Sequence, residues 1–143
     1  MTEASATSEN PTVGIVLISH SRAIAEGAAD VAAQVSAGAV RIVGVGGTED
    51  GRLGTSLDAL ASAVEKVSTG AGVLIVPDLG SAVLTAKAYL AESDDLPGRP
   101  GRVVIADAPF VEGAVAAAVT ASSGADLAEV LAAAEGARDV RKL

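Results

Sequence analysis

Short apolar runs of strand length alternate along this chain with segments whose apolar residues recur at helical spacing. That alternation leaves few folds open. Residues 13–18, 40–45, 73–76 and 102–106 read as strands. After the first, Ile24, Ala28, Val31, Ala32 and Val35 mark one buried helix face, and after the second, Leu57, Leu60, Ala61, Val64 and Val67 mark another. Val83, Ala86 and Leu90 follow the third run, and Val111, Val115, Ala118 and Val119 the fourth. Repeated strand–helix units of this kind predict an α/β fold, a small doubly wound and mostly parallel sheet with helices on both faces. For four strands the common order is 2-1-3-4, which puts the topological switch point between strands 1 and 3.

The punctuation agrees. Gly38, Gly70-Ala71-Gly72 and Ser122-Ser123-Gly124 stand where helices end, and Pro97-Gly98-Arg99-Pro100-Gly101 reads as a turn. Thr55 or Ser56 caps the second helix, and Asp126 with Glu129 three residues on forms a capping box for the last. The polar, glycine-rich stretch from Gly46 to Gly54 is the one long loop, and long loops at strand carboxyl ends often carry function.

The 143 residues fit a single domain, expected over residues 12–143 behind a frayed polar tail at residues 1–11. Hydrophobic residues make up 50%, yet no unbroken apolar stretch approaches the ~20 residues needed to cross a bilayer. The first residues lack the basic start and apolar middle of a signal peptide, so a soluble, cytoplasmic protein without membrane contact is expected. The absence of cysteine removes disulfides, thiolate nucleophiles and cysteine-based zinc sites, and a single histidine leaves no His-rich metal site. No metal or cofactor is expected. A formal net charge of −8 without a basic stripe argues against a nucleic-acid partner, and Tyr89 and Phe110 are the only aromatics.

The single histidine, His20, stands directly after the first apolar run, in Ser19-His20-Ser21. The carboxyl ends of strands open into the ligand crevice of such sheets, so His20 is the first functional candidate. The 2-1-3-4 order places it beside the end of strand 3, Val76-Pro77-Asp78-Leu79-Gly80-Ser81. A neutral imidazole is a good nucleophile toward phosphorus and needs orientation more than activation. A carboxylate accepting one ring N–H fixes the tautomer, frees the other nitrogen's lone pair and stabilises the phosphorylated, cationic ring. Asp78 is the candidate for that role. The helices that begin after Ser21 and after Gly80-Ser81 offer backbone amides for phosphoryl oxygens, and Ser81 adds a hydroxyl. Simpler readings stand beside these: a lone histidine is usually an ordinary polar residue, and Asp78 and Ser81 read equally well as helix caps. The 46–54 loop lacks a Gly-Lys-Ser/Thr ending, so it is no nucleotide P-loop.

Ile18-Ser19-His20-Ser21, Asp50-Gly51-Arg52-Leu53-Gly54-Thr55-Ser56, Asp78-Leu79-Gly80-Ser81-Ala82, Ala108-Pro109-Phe110-Val111-Glu112-Gly113 and Ser123-Gly124-Ala125-Asp126 together resemble one family. It is that of the phosphotransfer subunits (DhaM) of phosphoenolpyruvate-dependent dihydroxyacetone kinases, which have the mannose-type enzyme IIA fold of the bacterial sugar phosphotransferase system. The resemblance runs from Val13 to Gly136. It implies a phosphohistidine carrier: His20 takes a phosphoryl group from the phosphocarrier HPr and passes it to ADP held on a DhaL subunit, which phosphorylates dihydroxyacetone bound to DhaK. By the same resemblance Asp78 orients His20, and Ser21, Gly54, Thr55, Gly80 and Ser81 line the phosphate site. The transient phosphoryl group is then the only group carried. Some family members bear further HPr-like and enzyme I-like domains, so a separate donor protein is expected here. Mannose-type relatives join subunits through a strand near the carboxyl end, where this chain reads as helix, so a homodimer is expected to form through helices.

Three rival classes remain. A receiver domain shares the fold and is phosphorylated on an aspartate at the end of strand 3, where Asp78 stands, but it needs an acidic pair after strand 1 to hold Mg²⁺. A histidine phosphatase also places its nucleophile after strand 1 but normally needs a second histidine. A non-enzymatic interaction module makes His20 incidental.

Overall fold

A computed structural model of the chain describes residues 11–93 and 102–143. The elements run β1 (Gly14–Ser19), α1 (Arg22–Val35), β2 (Ile42–Gly46), α2 (Leu57–Val67), β3 (Val73–Pro77), α3 (Gly80–Ser93), β4 (Val103–Ile105), α4 (Phe110–Ser122) and α5 (Leu127–Gly136), with a short 3₁₀ turn at Ala137–Asp139. Among the described residues the strands form one all-parallel sheet in the order β2-β1-β3-β4, as expected. The turn expected at residues 97–101 and most of the tail expected at residues 1–11 lie outside the described residues.

Two apolar layers sandwich the sheet. Ile15 and Leu17 of β1 and Leu74 and Val76 of β3 pack against Ala28 and Ala32 of α1, four alanines of α4, and Leu127 and Val130 of α5. Their alternate neighbours Val16, Ile18, Val73 and Ile75 pack against Leu60, Val64 and Val67 of α2 and Ala82, Ala86 and Tyr89 of α3. Both central strands are buried throughout, which explains their unbroken apolar sequence.

The structure bears out the expected face of α2, where Leu60, Val64 and Val67 are buried, and corrects parts of those of α1 and α4. On α1 the fully buried positions are Ala25, Ala28 and Ala32, while Ile24, Val31 and Val35 are about half exposed. On α4 Ala114, Ala117, Ala118 and Ala121 are buried, and Val111 and Val119 stand half exposed. Small residues win the inner face because they let a helix approach the sheet closely, and close approach is what fills this core. The same closeness appears at β2. A Cβ on Gly44 would lie 2.4 Å from the Ala25 carbonyl oxygen, and one on Gly46 would lie 2.6 Å from that of Ser21.

Strand bounds shift by one or two residues from those expected. β2 starts at Ile42, not at residue 40, because Val40 and Arg41 lead in from the α1 turn, and β4 is only three residues long. Helix ends fall where expected. Gly38 and Gly124, with φ of 74° and 87°, follow α1 and α4, Ser56 caps α2, and Asp126 and Glu129 form the capping box of α5. Ile75, fully buried in the middle of β3, tests the packing. Ile75→Ala is expected to lower unfolding free energy by about 2–5 kcal/mol in denaturant titration.

Candidate functional site

Parallel pairing carries the two candidate residues to one point. Ile18 lies opposite Pro77 in the β1–β3 register, and the Asp78 N–H donates to the Ile18 carbonyl at 3.1 Å, extending the ladder one step. His20 and Asp78 therefore leave the sheet side by side at the switch point. Asp78 Oδ1 accepts from the His20 ring, with Nδ1 3.1 Å away, so the tautomer that satisfies this contact carries its proton on Nδ1 and its lone pair on Nε2. The Ser81 hydroxyl contacts that Nε2. A line of three groups results: carboxylate, imidazole, hydroxyl.

Asp78 is held by more than the ring. Its Oδ2 accepts from the Ser19 hydroxyl at 2.7 Å and the His20 N–H at 3.3 Å, and its Oδ1 also accepts from the Leu79 N–H at 2.6 Å. Burial works to raise the carboxyl's pKa, but the hydrogen bonds from Ser19, the His20 ring, Leu79 and the His20 amide together outweigh it and hold it below the ordinary carboxylate value. Asp78 is thus an anion with a fixed direction. The amide it binds is that of the next residue, not one inside the first turn of α3, so it is no ordinary helix cap.

Ser19 is the residue that sequence reading passed over. Fully buried at the last position of β1, it donates to Asp78 and accepts from the Ser21 N–H at 3.0 Å, so one hydroxyl ties the carboxylate to the start of α1. A polar residue ending a fully buried strand at the sheet's ligand edge was the available signal. The His20 side chain keeps 26% of its surface exposed against 12% for Asp78, which leaves the ring reachable and its partner covered.

The other expected residues divide. Ser21 caps α1, its hydroxyl accepting from the Ile24 N–H at 3.3 Å. Gly80 and Ser81 open α3; the Ala82 and Val83 amides that follow both donate to the Leu79 carbonyl, so the amides at the anion-favouring end of this helix are those of Gly80 and Ser81 themselves. Gly54 sits against His20 but spends its N–H on the His20 carbonyl at 3.0 Å, so it braces the backbone. The Thr55 hydroxyl pairs with that of Thr85 on α3 at 2.6 Å, tying the loop to α3. The loop itself forms an open depression of about 620 Å³ lined by Thr48, Asp50, Arg52, Leu53 and Ser56 among others, with Asp50 and Arg52 paired at 3.2 Å. Among the described residues no group of three or more histidine, aspartate or glutamate side chains is placed to hold a metal ion, and no helix is long and apolar enough to cross a membrane.

Two variants probe this network. Ser19→Ala is expected to cost about 1–3 kcal/mol of stability, because it strips a donor from a covered carboxylate and leaves the Ser21 amide without its acceptor. The depressed Asp78 pKa contributes stability that is present above the ordinary carboxylate value and lost as pH falls through the lowered one. Below about pH 4, then, wild-type stability should fall more steeply with pH than that of Asp78→Asn, as measured by urea midpoints at several acidic pH values.

Residues 14–131 match the family model EIIA-man, described as the PTS system fructose IIA component. The phosphoryl donor subunit DhaM of a PEP-dependent dihydroxyacetone kinase from Listeria innocua is 38% identical over 75% of this chain and 84% of its own length. The corresponding subunit of Providencia stuartii is 34% identical over 83% of this chain, which spans only 25% of that longer protein. The crystal structure of a protein of unknown function, EF1359, superposes with a TM-score of 0.71 at 33% identity, covering 87% of this chain and 94% of that one. With the sheet order, the switch-point histidine and these similarities in place, the chain belongs to the EIIA-man family and, within it, to the DhaM group.

Proposed function

We propose that this protein is the phosphohistidine carrier of a dihydroxyacetone kinase, accepting a phosphoryl group on Nε2 of His20 and handing it to a kinase subunit. The observation that carries the reading is the Asp78 contact to Nδ1, which leaves Nε2 with the ring's lone pair at the exposed edge. The names of the relatives, phosphoryl donor subunits, support the direction of transfer.

The chemistry follows from those atoms. The bond between the donor's nitrogen and phosphorus breaks, its electron pair stays with the donor, and the Nε2 lone pair forms the new bond. Nδ1 keeps its proton, the ring becomes cationic, and the fixed Asp78 anion offsets that charge. In the second transfer the Nε2–P bond breaks and the ring regains its lone pair. The amides of Arg22 and Ala23 at the start of α1 and of Gly80 and Ser81 at the start of α3, ahead of those spent on Ser21 and Leu79, and the Ser81 hydroxyl are the donors offered to phosphoryl oxygens. We take HPr as the donor, ADP held on a DhaL subunit as the acceptor and DhaK as the indirect partner, on the family resemblance, with the protein itself a cytoplasmic homodimer.

Exposed Leu53 and Leu79 neighbour or make backbone contacts to His20 and Asp78, exposed Leu84 lies one turn beyond Ser81 on α3, and exposed apolar groups on such segments suit docking by a protein more than by a small polar substrate. The receiver-domain reading is disfavoured because every oxygen of Asp78 already serves as an acceptor, and the position after β1 holds Ser19-His20-Ser21 in place of an acidic pair.

Incubated with phosphoenolpyruvate, enzyme I and HPr, the protein is expected to gain one acid-labile, alkali-stable phosphate, and His20→Ala none. Alkali-labile label on Asp78, or no label, refutes the assignment. Asp78→Asn is expected to slow transfer by about tenfold to a hundredfold, the loss of one charged hydrogen bond to the developing cation, with a smaller effect on thermal stability. An equal loss of both makes Asp78 structural.

A further inference from the structure

We propose that Ser81 is the resting-state cap of the phosphoryl-accepting nitrogen, its hydroxyl occupying the Nε2 lone pair whenever His20 is empty. The inference rests on the phosphohistidine reading. Asp78 fixes which end of the ring carries the proton, so the only hydrogen bond that Nε2 can make is one it accepts. The Ser81 hydroxyl is in contact with that nitrogen. A lone pair engaged by an O–H cannot at the same moment point at phosphorus, because transfer needs phosphorus in line with it.

A hydroxyl placed solely to cradle a phosphoryl group has no need to touch the nitrogen. Here it sits where phosphorus must arrive. Each loading of His20 therefore begins with rotation of the Ser81 side chain. Its proton stays on its own oxygen throughout, the donor's bond to phosphorus breaks as Nε2–P forms, and Nδ1 keeps its hydrogen. Nothing is oxidised and no proton leaves the site. Ser81 has room to turn because it is exposed on the first turn of α3. Turned aside, the hydroxyl lies within reach of a phosphoryl oxygen, so the same side chain serves the loaded state. The transition between the two states has neither bond. Ser81 then slows loading of the bare ring by small phosphoryl donors, and a docked protein partner is what displaces it.

Loading by phosphoramidate, a small donor that needs no docking surface, isolates this effect. Ser81→Ala is expected to load about fivefold faster than wild type, one neutral hydrogen bond's worth, and Ser81→Thr, which keeps the hydroxyl, to retain the hydrogen-bonded Nε2 resonance of wild type. A Ser81→Ala rate equal to or below wild type overturns the cap. In the unphosphorylated protein the ¹⁵N resonance of Nε2 should move toward that of a free lone pair in Ser81→Ala, while Nδ1 remains protonated; an unmoved Nε2 resonance also overturns it. Failure of wild type to load at His20 sinks the phosphohistidine reading instead, and the nitrogen resonance still decides the hydrogen bond by itself.

Discussion

The Asp78 carboxylate joins two strand ends, a helix start and a reactive ring, and the geometry of the crevice follows from how it is satisfied. Covering a carboxylate is costly unless donors replace the lost water. Here four donors do so: a buried hydroxyl, two backbone amides and the imidazole. Three of them come from Ser19 and His20, so the β1–β3 pairing that brings Asp78 alongside also brings its partners. A one-residue slip in that register would turn Ser19 to the opposite face of the sheet and leave the anion undersupplied. The depressed carboxyl pKa records the same balance, hydrogen bonding prevailing over burial.

Close packing makes that register consequential. Alanines line the inner faces of α1 and α4, and glycines at 44 and 46 in β2 admit the α1 backbone to a distance no Cβ would allow. The start of α1 is thereby pressed against the end of β2, whose Gly46 pairs with Ser19 at the end of β1. Ser21 both caps α1 and gives its N–H to the Ser19 hydroxyl, so the helix start and the carboxylate are set by one short chain of bonds. On the other side Gly54 braces the His20 carbonyl and Thr55 reaches Thr85 of α3. In the unloaded crevice Gly54 is thus a strut of the histidine's backbone and Thr55 a tie between the loop and α3.

Unbroken apolar runs, helical spacing and turn chemistry made the α/β class and the helix ends legible in the sequence, because each is a local signal with a strong physical cause, and the common order for four such strands supplied the topology. The pairing of His20 with Asp78 was legible too, since the switch-point rule converts strand order into proximity. The face of α2 was legible as well, with Leu60, Val64 and Val67 buried, but the faces of α1 and α4 were only partly so. Spacing alone favours the larger side chains as core, so Ile24, Val31, Val111 and Val119 were assigned inward, whereas close helix–sheet approach selects the neighbouring alanines. Ser19 was passed over for a related reason: its value lies in a contact 59 residues away, which no periodicity encodes. The roles of Gly54 and Thr55 likewise depend on which partner their polar groups meet first, a property of the folded loop.

Carboxylate, imidazole and hydroxyl in line is also the arrangement of a hydrolytic serine, and the same three side chains serve that chemistry on unrelated folds. What separates the cases is the surroundings of the hydroxyl. A nucleophilic serine needs amide donors aimed where an oxyanion will form, commonly including that of the following residue. The Ala82 N–H donates instead to the Leu79 carbonyl at 3.0 Å, and the Val83 N–H to the same oxygen at 3.1 Å, so the turn that carries Ser81 consumes both. Ser81 is also exposed on an ordinary first turn, not strained on a sharp elbow between strand and helix. The histidine, by contrast, has everything a nucleophile toward phosphorus requires: a fixed tautomer, a covered counter-charge and an accessible second nitrogen. In this crevice the geometry suits the ring, not the hydroxyl, for nucleophilic attack.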